Sequence, residues 1–507
     1  MPMNISVHFP ALLVTLPLIF VPIIPLLGMI NRKICWYAAV TVVTASFAMI
    51  MTILAKVSAS GPISYFMGNW APPIGIEYRI DMLNAFVLAV ISFISLVSLL
   101  FGKELVEKEI PEYKHPAFYS VFILFIVGML GITVTGDLFN VYVFLEITSL
   151  AGYALIATSS KRYAPMASFN YLVIGTIAAT FIVLGIGYLY MVTGTLNMAD
   201  LAERVKPLHG SSVVLTAYAF IIVGLFVKMA VFPLHLWLPD AYTYSPSAVS
   251  AAMAATSTKV GAYVLIRLMY SVFDIEFSLG SIPMTSIIIF FASLSIIAGS
   301  VIAIAQTNIK KMLAYSSVGQ IGYILLAAAM VNAEALTGGV VHIFSHALMK
   351  GGLFFVVGLI VFNIGSERIC DFEGLGRRMP FTAAAFTIFS LSIIGVPLTV
   401  GFVSKWYLII GAIGSGHWYA IGVVLLSSLL TAIYFGKVIF VMYFKGGHEC
   451  HDHSGHTAAV KLSEPMGMVI PMAFVAFLCI YFGIFATFPV EMAGKAAEAV
   501  LGGVTWK

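Results

Sequence analysis

The chain has 507 residues, 61% of them hydrophobic and only 9% charged, against about a quarter charged in an average soluble domain. This balance excludes a soluble enzyme and predicts an all-α polytopic membrane protein. The formal net charge of +4 matters less than where its basic residues fall.

With about 20 apolar residues per crossing, some 14 transmembrane helices are expected, near 11–30, 35–55, 82–102, 117–135, 138–158, 167–191, 212–232, 247–270, 284–305, 310–330, 336–362, 381–410, 417–443 and 466–488. The first lacks a basic leader and is followed by Arg32-Lys33, so it reads as a retained span. Residues 61–82 hold Pro62, Pro72, Pro73 and Gly75 among Tyr65, Phe66, Trp70 and Tyr78, the pattern of an external hairpin with interfacial aromatics. Residues 196–208 predict a short interfacial helix.

Alternate loops differ in basic content. Arg32, Lys33, Lys103, Lys108, Lys114, Lys161, Arg162, Lys310, Lys311, Arg368, Arg377, Arg378, Lys445 and Lys461 are 14 on one side. Lys56, Arg79, Arg204, Lys206, Lys495 and Lys507 are 6 on the other. The first side is expected to be cytoplasmic, with both termini outside a cell (inner or plasma) membrane.

The seventh span carries Lys228 inside an apolar run, followed by Pro233 and Pro239. A charge at bilayer depth costs about 2.5–3.5 kcal/mol, and proline breaks a helix. Both are tolerated where protein or water replaces lipid. The twelfth span has a matching break at Gly395, Pro397 and Gly401, then Lys405. Gly152-Tyr153-x-Leu155-x-Ala157 also recurs as Gly322-Tyr323-x-Leu325-x-Ala327, an offset of 170 residues or five spans. Five is odd, so the second copy enters from the opposite side, which predicts two inverted five-helix repeats. The expected division is an N-terminal segment over 1–116, repeats over 117–270 and 284–443, and a loop with the last span over 445–507.

The remaining intramembrane charges suggest protons as cargo. Glu146 in the fifth span is either a packing carboxylate or a partner that tunes a lysine's proton affinity. Lys228 and Lys259 lie one loop apart, and lysine, unlike arginine, can release its proton. His342, His346 and Lys350 share one stripe of the eleventh span at i, i+4, i+8 spacing, His342 being the weaker candidate. Tyr315, Ser316, Ser317 and Gln320 are uncharged residues that could line a wet path. Arg267 and Lys437 lie nearer span ends and read as snorkelling. Fixed lysines repel cations in a channel, whereas protons can hop between titratable groups.

These motifs, Gly136-Asp137-Leu138-Phe139-Asn140 through Glu146, Lys228 with Pro233-Leu234-His235-x-Trp237-Leu238-Pro239-Asp240-Ala241, Thr258-Lys259-Val260-Gly261, His346-Ala347-Leu348-Met349-Lys350 and the break ending at Lys405, resemble the antiporter-like subunits of complex I, Mrp-type cation/proton antiporters and membrane-bound hydrogenases. The resemblance implies that Glu146 and Lys228 form the first half-channel pair and that Lys259 connects. It places His346 and Lys350 on the central axis and Lys405 at the end of the second half-channel. Residues 402–407 look most like the D-type Mrp subunit, with the N-type complex I subunit close behind. The implied function is a proton-translocating subunit of a Na+/K+–proton antiporter, with a pump subunit of complex I (NADH-quinone oxidoreductase) or a hydrogenase as the alternative. A stand-alone organic-solute transporter is a third reading. The implied partners are other membrane subunits, protons, Na+ or K+, and the lipid bilayer; no nucleic acid is expected.

No cofactor is expected. Cys35, Cys370, Cys450 and Cys479 form no CxxC, and neither GxGxxG nor a Walker A run occurs. The loop bearing His448, Cys450, His451, His453 and His456 has the composition of a weak metal site, though a solvated loop is the plainer reading.

Overall fold

The computed structural model describes residues 5–274, 277, 284–445 and 462–502; the histidine-rich loop lies outside them. Among the described residues, thirteen helices are long and apolar enough to cross a membrane. In chain order the bundle begins with α1 (Phe9–Ile30), α2 (Arg32–Ser60), α3 (Met82–Glu109), α4 (His115–Val134), α5 (Leu138–Ala157) and α6 (Ala164–Thr193). After the short α7 (Met198–Val205) come α8 (Ser212–Met229), α9 (Trp237–Tyr244) and α10 (Ser247–Arg267). The second half holds α11 (Met284–Ile304), α12 (Ile309–Ala329), α13 (Ala333–Ile364), α14 (Pro380–Ile394), α15 (Val400–Gly414) and α16 (Trp418–Tyr443), followed by α17 (Met466–Ile484) and α18 (Thr487–Leu501).

The expected breaks are present. The seventh span stops at Met229 and resumes at Trp237, and the twelfth is two shorter helices, α14 and α15. The external hairpin is a two-stranded antiparallel sheet, β1 (Ile63–Phe66) with β2 (Glu77–Ile80), pairing Ile63 with Ile80. The interfacial helix is α7, whose buried Met198, Leu201 and Val205 share one face. One element is absent from the sequence reading. The last span ends at Ile484, and α18 then runs with Met492, Ala493, Ala496, Ala497 and Val500 inward against α3 and α13. Glu491, Lys495 and Glu498 interleave on its wetter side.

Burial explains where polar residues are allowed. The apolar windows of α10 and α12 are each 94% buried inside the bundle, against 22% for the first helix. These two are also the least hydropathic of the thirteen. A helix that does not meet lipid needs no continuous apolar surface, so polar side chains concentrate at the centre. Small residues bring the neighbouring helices into place. A Cβ at Gly131 of α4 would lie 2.4 Å from the Phe144 ring on α5, and one at Gly224 of α8 would lie 2.7 Å from the Ala178 carbonyl on α6. Close backbone approach of this kind seats α5 and α8.

Basic residues of the loops are held in ion pairs. At one end Lys161 pairs with Glu367, and Lys310 lies 3.4 Å from the same carboxylate. Asn308 Nδ2 donates to the other Glu367 oxygen at 3.0 Å, and Lys310 Nζ donates to Ser247 Oγ at 3.1 Å. Burial alone would raise the Glu367 carboxyl, but Lys310, Lys161 and these hydrogen bonds hold it below the usual carboxylate range. Lys311–Asp240, Lys445–Glu373 and Arg32–Glu112 are further ion pairs of the chain's basic loops. Arg79, Lys206, Arg267 and Lys495 line one pocket together with Asp81, Glu203 and Asp274.

Candidate proton-relay site

The break in the seventh span builds the first part of the site. Ala230 takes a left-handed backbone with φ 58°, and the Phe232–Pro233 bond is cis. The freed backbone groups are satisfied by side chains: Trp237 Nε1 donates to the Val227 carbonyl at 2.8 Å, and Phe232 N–H donates to Ser295 Oγ at 3.0 Å. Lys228 stands in the last turn of α8, where the helix dipole favours a cation. Its Nζ donates to Glu146 Oε1 at 3.0 Å and to Ser149 Oγ at 2.7 Å. Glu146 and Ser149 are i, i+3 on α5 and so face the same neighbour. The two charged side chains are 6% and 22% exposed.

Beyond this pair, no other lysine of the row has a carboxylate partner among the described residues. Lys259 donates to the Ala254 carbonyl of its own helix. Lys350 donates to the Leu313 carbonyl of α12 at 2.7 Å. Lys405 reaches across the second break, donating to the carbonyls of Ile393 and Ile394 and to Ser428 Oγ, each at 2.9 Å. It thereby occupies carbonyls that the end of α14 leaves without helical partners. Burying ammonium groups with only carbonyl and hydroxyl partners is costly, which suits groups that exchange protons better than groups that hold a fixed charge.

The two histidines stand side by side on α13. Their rings stack 5.7 Å apart at 16°. His342 Nδ1 lies 2.9 Å from Ser404 Oγ, beside Lys405 in sequence. Both ring nitrogens of His346, Nε2 of His342 and Oε1 of Gln320 are buried without a protein partner. Buried polar atoms are ordinarily satisfied, and this strip collects four that no protein group satisfies. Lys228, Lys259, His342, His346, Lys350 and Lys405 are all buried. Tyr323 links two of them, its ring lying 5.3 Å from the His342 ring and 5.1 Å from Lys405 Nζ.

One expectation is corrected. Arg267 does not snorkel: it is 3% exposed and forms a two-pronged ion pair with Asp81, at 2.6 and 2.8 Å. Lys437 is exposed, as a snorkelling residue is. Several neighbours of these residues are missing from the sequence-based set. Ser149 lies one turn from Glu146, Ser404 precedes Lys405, and Ser428 has no charged neighbour in sequence to mark it. His235 enters the sequence reading only as part of a motif, yet it is buried in the break and stacked 5.1 Å from Phe232. A histidine between two prolines at a broken span is the available signal.

The family model described as NADH:quinone oxidoreductase/Mrp antiporter, TM, matches residues 135–431, from just before α5 to the middle of α16. The chain is 42% identical to the N-type subunit of NADH-quinone oxidoreductase of Desulforudis audaxviator over 486 residues, 95% of this chain and 96% of the relative. It is 30% identical to the D-type subunit of the Na(+)/H(+) antiporter of Alkalihalophilus pseudofirmus over 406 residues, 80% of each. The solved Mrp complex from Dietzia sp. contains a chain of the same fold, with a TM-score of 0.89 and 25% identity over 99% of both chains. The protein belongs to the NADH:quinone oxidoreductase/Mrp antiporter family of membrane subunits.

Proposed function

We propose that this chain translocates protons as one membrane subunit of a multisubunit monovalent cation (Na+/K+)/proton antiporter. The observation that carries this is the buried row from Lys228 to Lys405, in which only Lys228 is paired with a carboxylate. In this account Lys228 exchanges protons with one side and Glu146 tunes its affinity. Lys259 passes the charge state on, and His346 and Lys350, with His342 beside them, carry it to Lys405 and the opposite side. The breaks at 230–236 and 395–399 support an inverted pair of repeats. The basic loops support a cytoplasmic end at Lys161 and Lys310, both termini outside, in the cell membrane. Similarity to chains of multisubunit complexes supports other membrane subunits as partners.

A second reading, a pump subunit of a redox complex such as complex I or a hydrogenase, is favoured by the 42% identity to an NADH-quinone oxidoreductase subunit. Purifying the assembly through a tag on this chain and reconstituting it in vesicles separates the two. Proton movement driven by a Na+ or K+ gradient without an electron donor supports antiport. Movement that needs a donor and acceptor supports the redox reading. Movement under neither condition refutes both.

A further inference from the structure

Arg267 lies two turns beyond Lys259 on α10, with Tyr263 between them, so that 259, 263 and 267 form one stripe. A pocket of 470 Å³ opens where this stripe ends. Glu203, Lys206 and Lys495 line it with side chains 60%, 45% and 43% exposed. Arg267 and Asp81 also line it, with side chains only 4% and 16% exposed, and Arg79 stands beside them. The pocket is therefore a vestibule with charged side chains set in a largely apolar wall and a buried ion pair at its floor, at the end of the stripe that carries Lys259.

We propose that the Arg267–Asp81 pair is a plug that keeps protons from passing between this vestibule and Lys259. The proposal rests on the relay reading for Lys259. Arginine keeps its charge in proteins, so Arg267 is no station in a relay. A fixed guanidinium in a low-dielectric passage excludes protons and cations. The pair is held from both partners. Nη1 donates to Asp81 Oδ2 and Nη2 to Oδ1, while Oδ1 also accepts the N–H groups of Leu83 and Asn84 at the start of α3. The guanidinium lies 5.5 Å from the ring of Tyr263, the next residue of the stripe toward Lys259. Tyr263 is itself anchored: its hydroxyl and Asn84 Nδ2 both donate to the Thr133 carbonyl, at 3.1 Å each. The other charged groups lining the pocket are Arg79, Glu203, Lys206, Asp274 and Lys495; all but Asp274, which follows the Arg267 helix, belong to other segments of the chain, so the vestibule floor is fixed by the fold. With the plug open, protons on Lys259 would escape before reaching Lys405, and the subunit would leak.

The test is passive proton permeability of vesicles holding the intact complex, under an imposed membrane potential, with neither a cation gradient nor an electron donor. The double variant Arg267→Gln/Asp81→Asn removes both charges; Asp81→Asn keeps the shape of its side chain, and Arg267→Gln is shorter but retains an amide donor. A leak above wild type is expected, and adding Lys259→Met should abolish it. A double variant as tight as wild type overturns the plug, as does a leak that survives Lys259→Met. A second measurement leaves the pair intact: Tyr263→Cys should resist a membrane-impermeant maleimide that labels Ala202→Cys in the vestibule, and labelling of Tyr263→Cys overturns the proposal. Failure of the relay reading appears elsewhere, as cation-driven antiport that survives loss of Lys228.

Discussion

Replacing Glu146 by glutamine removes one charge from the Lys228 pair and changes little else. Lys228 Nζ sits 3.0 Å from Glu146 Oε1, and the lysine side chain is only 6% exposed. At that separation and an effective dielectric of about 20, the attraction is roughly 5 kcal/mol. Removing one partner of a buried pair costs about 3–5 kcal/mol in measured cases, so the two scales agree. Each 1.4 kcal/mol that reaches the transfer step slows it tenfold. If a third of the coupling does so, proton flux falls roughly 20-fold. The assay is the pH-dye response of inverted membrane vesicles holding the intact complex after a Na+ or K+ pulse, with assembly checked by native gel. Glu146→Asp keeps the charge on a shorter arm and should fall between glutamine and wild type. Full flux in Glu146→Gln at normal complex levels would refute the reasoning.

Three further outcomes follow from other contacts. Gly401→Ala would place a Cβ 1.8 Å from the Ser392 carbonyl oxygen, a backbone atom across the second break; overpacking costs about 1–3 kcal/mol or more, so a lower melting temperature of the purified complex is expected, and an unchanged one counts against the close approach of α14 and α15. Ser404→Ala deletes the 2.9 Å partner of His342 Nδ1 without touching Lys405; flux should drop several-fold with assembly intact, and wild-type flux would remove this contact from the route. Glu367→Gln should destabilise the basic end by on the order of 3 kcal/mol at neutral pH. Because the folded carboxyl is held below its ordinary range, this stabilisation is present above the unfolded value of about 4.3 and is lost as pH falls through the lower folded value. Melting curves of the two proteins should therefore converge below about pH 4, and a constant gap down to the most acid condition would contradict the assignment.

The parts of the molecule readable from sequence are those where a local rule is violated at a cost. Lys228 stands out because a charge in an apolar run is expensive, and both breaks stand out because proline and glycine interrupt helices. The partners of these residues are readable only where they too are costly. Glu146 is visible because a carboxylate in a span is rare. Ser149, Ser428 and the carbonyls of Ile393 and Ile394 are not, because hydroxyls and backbone groups are ordinary in any helix and become partners of the lysines only through packing. Arg267 misleads for the same reason. Its partner lies 186 residues away at the head of α3, and a position near a span end gives no hint of it. The last helix merges in sequence with the span before it, since α18 is amphipathic and its apolar residues extend the hydropathic run.

The central claim is that Lys228 works by giving up and regaining a proton, and Lys228→Arg tests it most directly. Arginine preserves the positive charge and can still reach Glu146, but it does not release its proton. Cation-driven or redox-driven proton flux should vanish while the complex assembles at its normal level. Wild-type flux in Lys228→Arg would show that a fixed charge suffices there, and the relay account would be wrong.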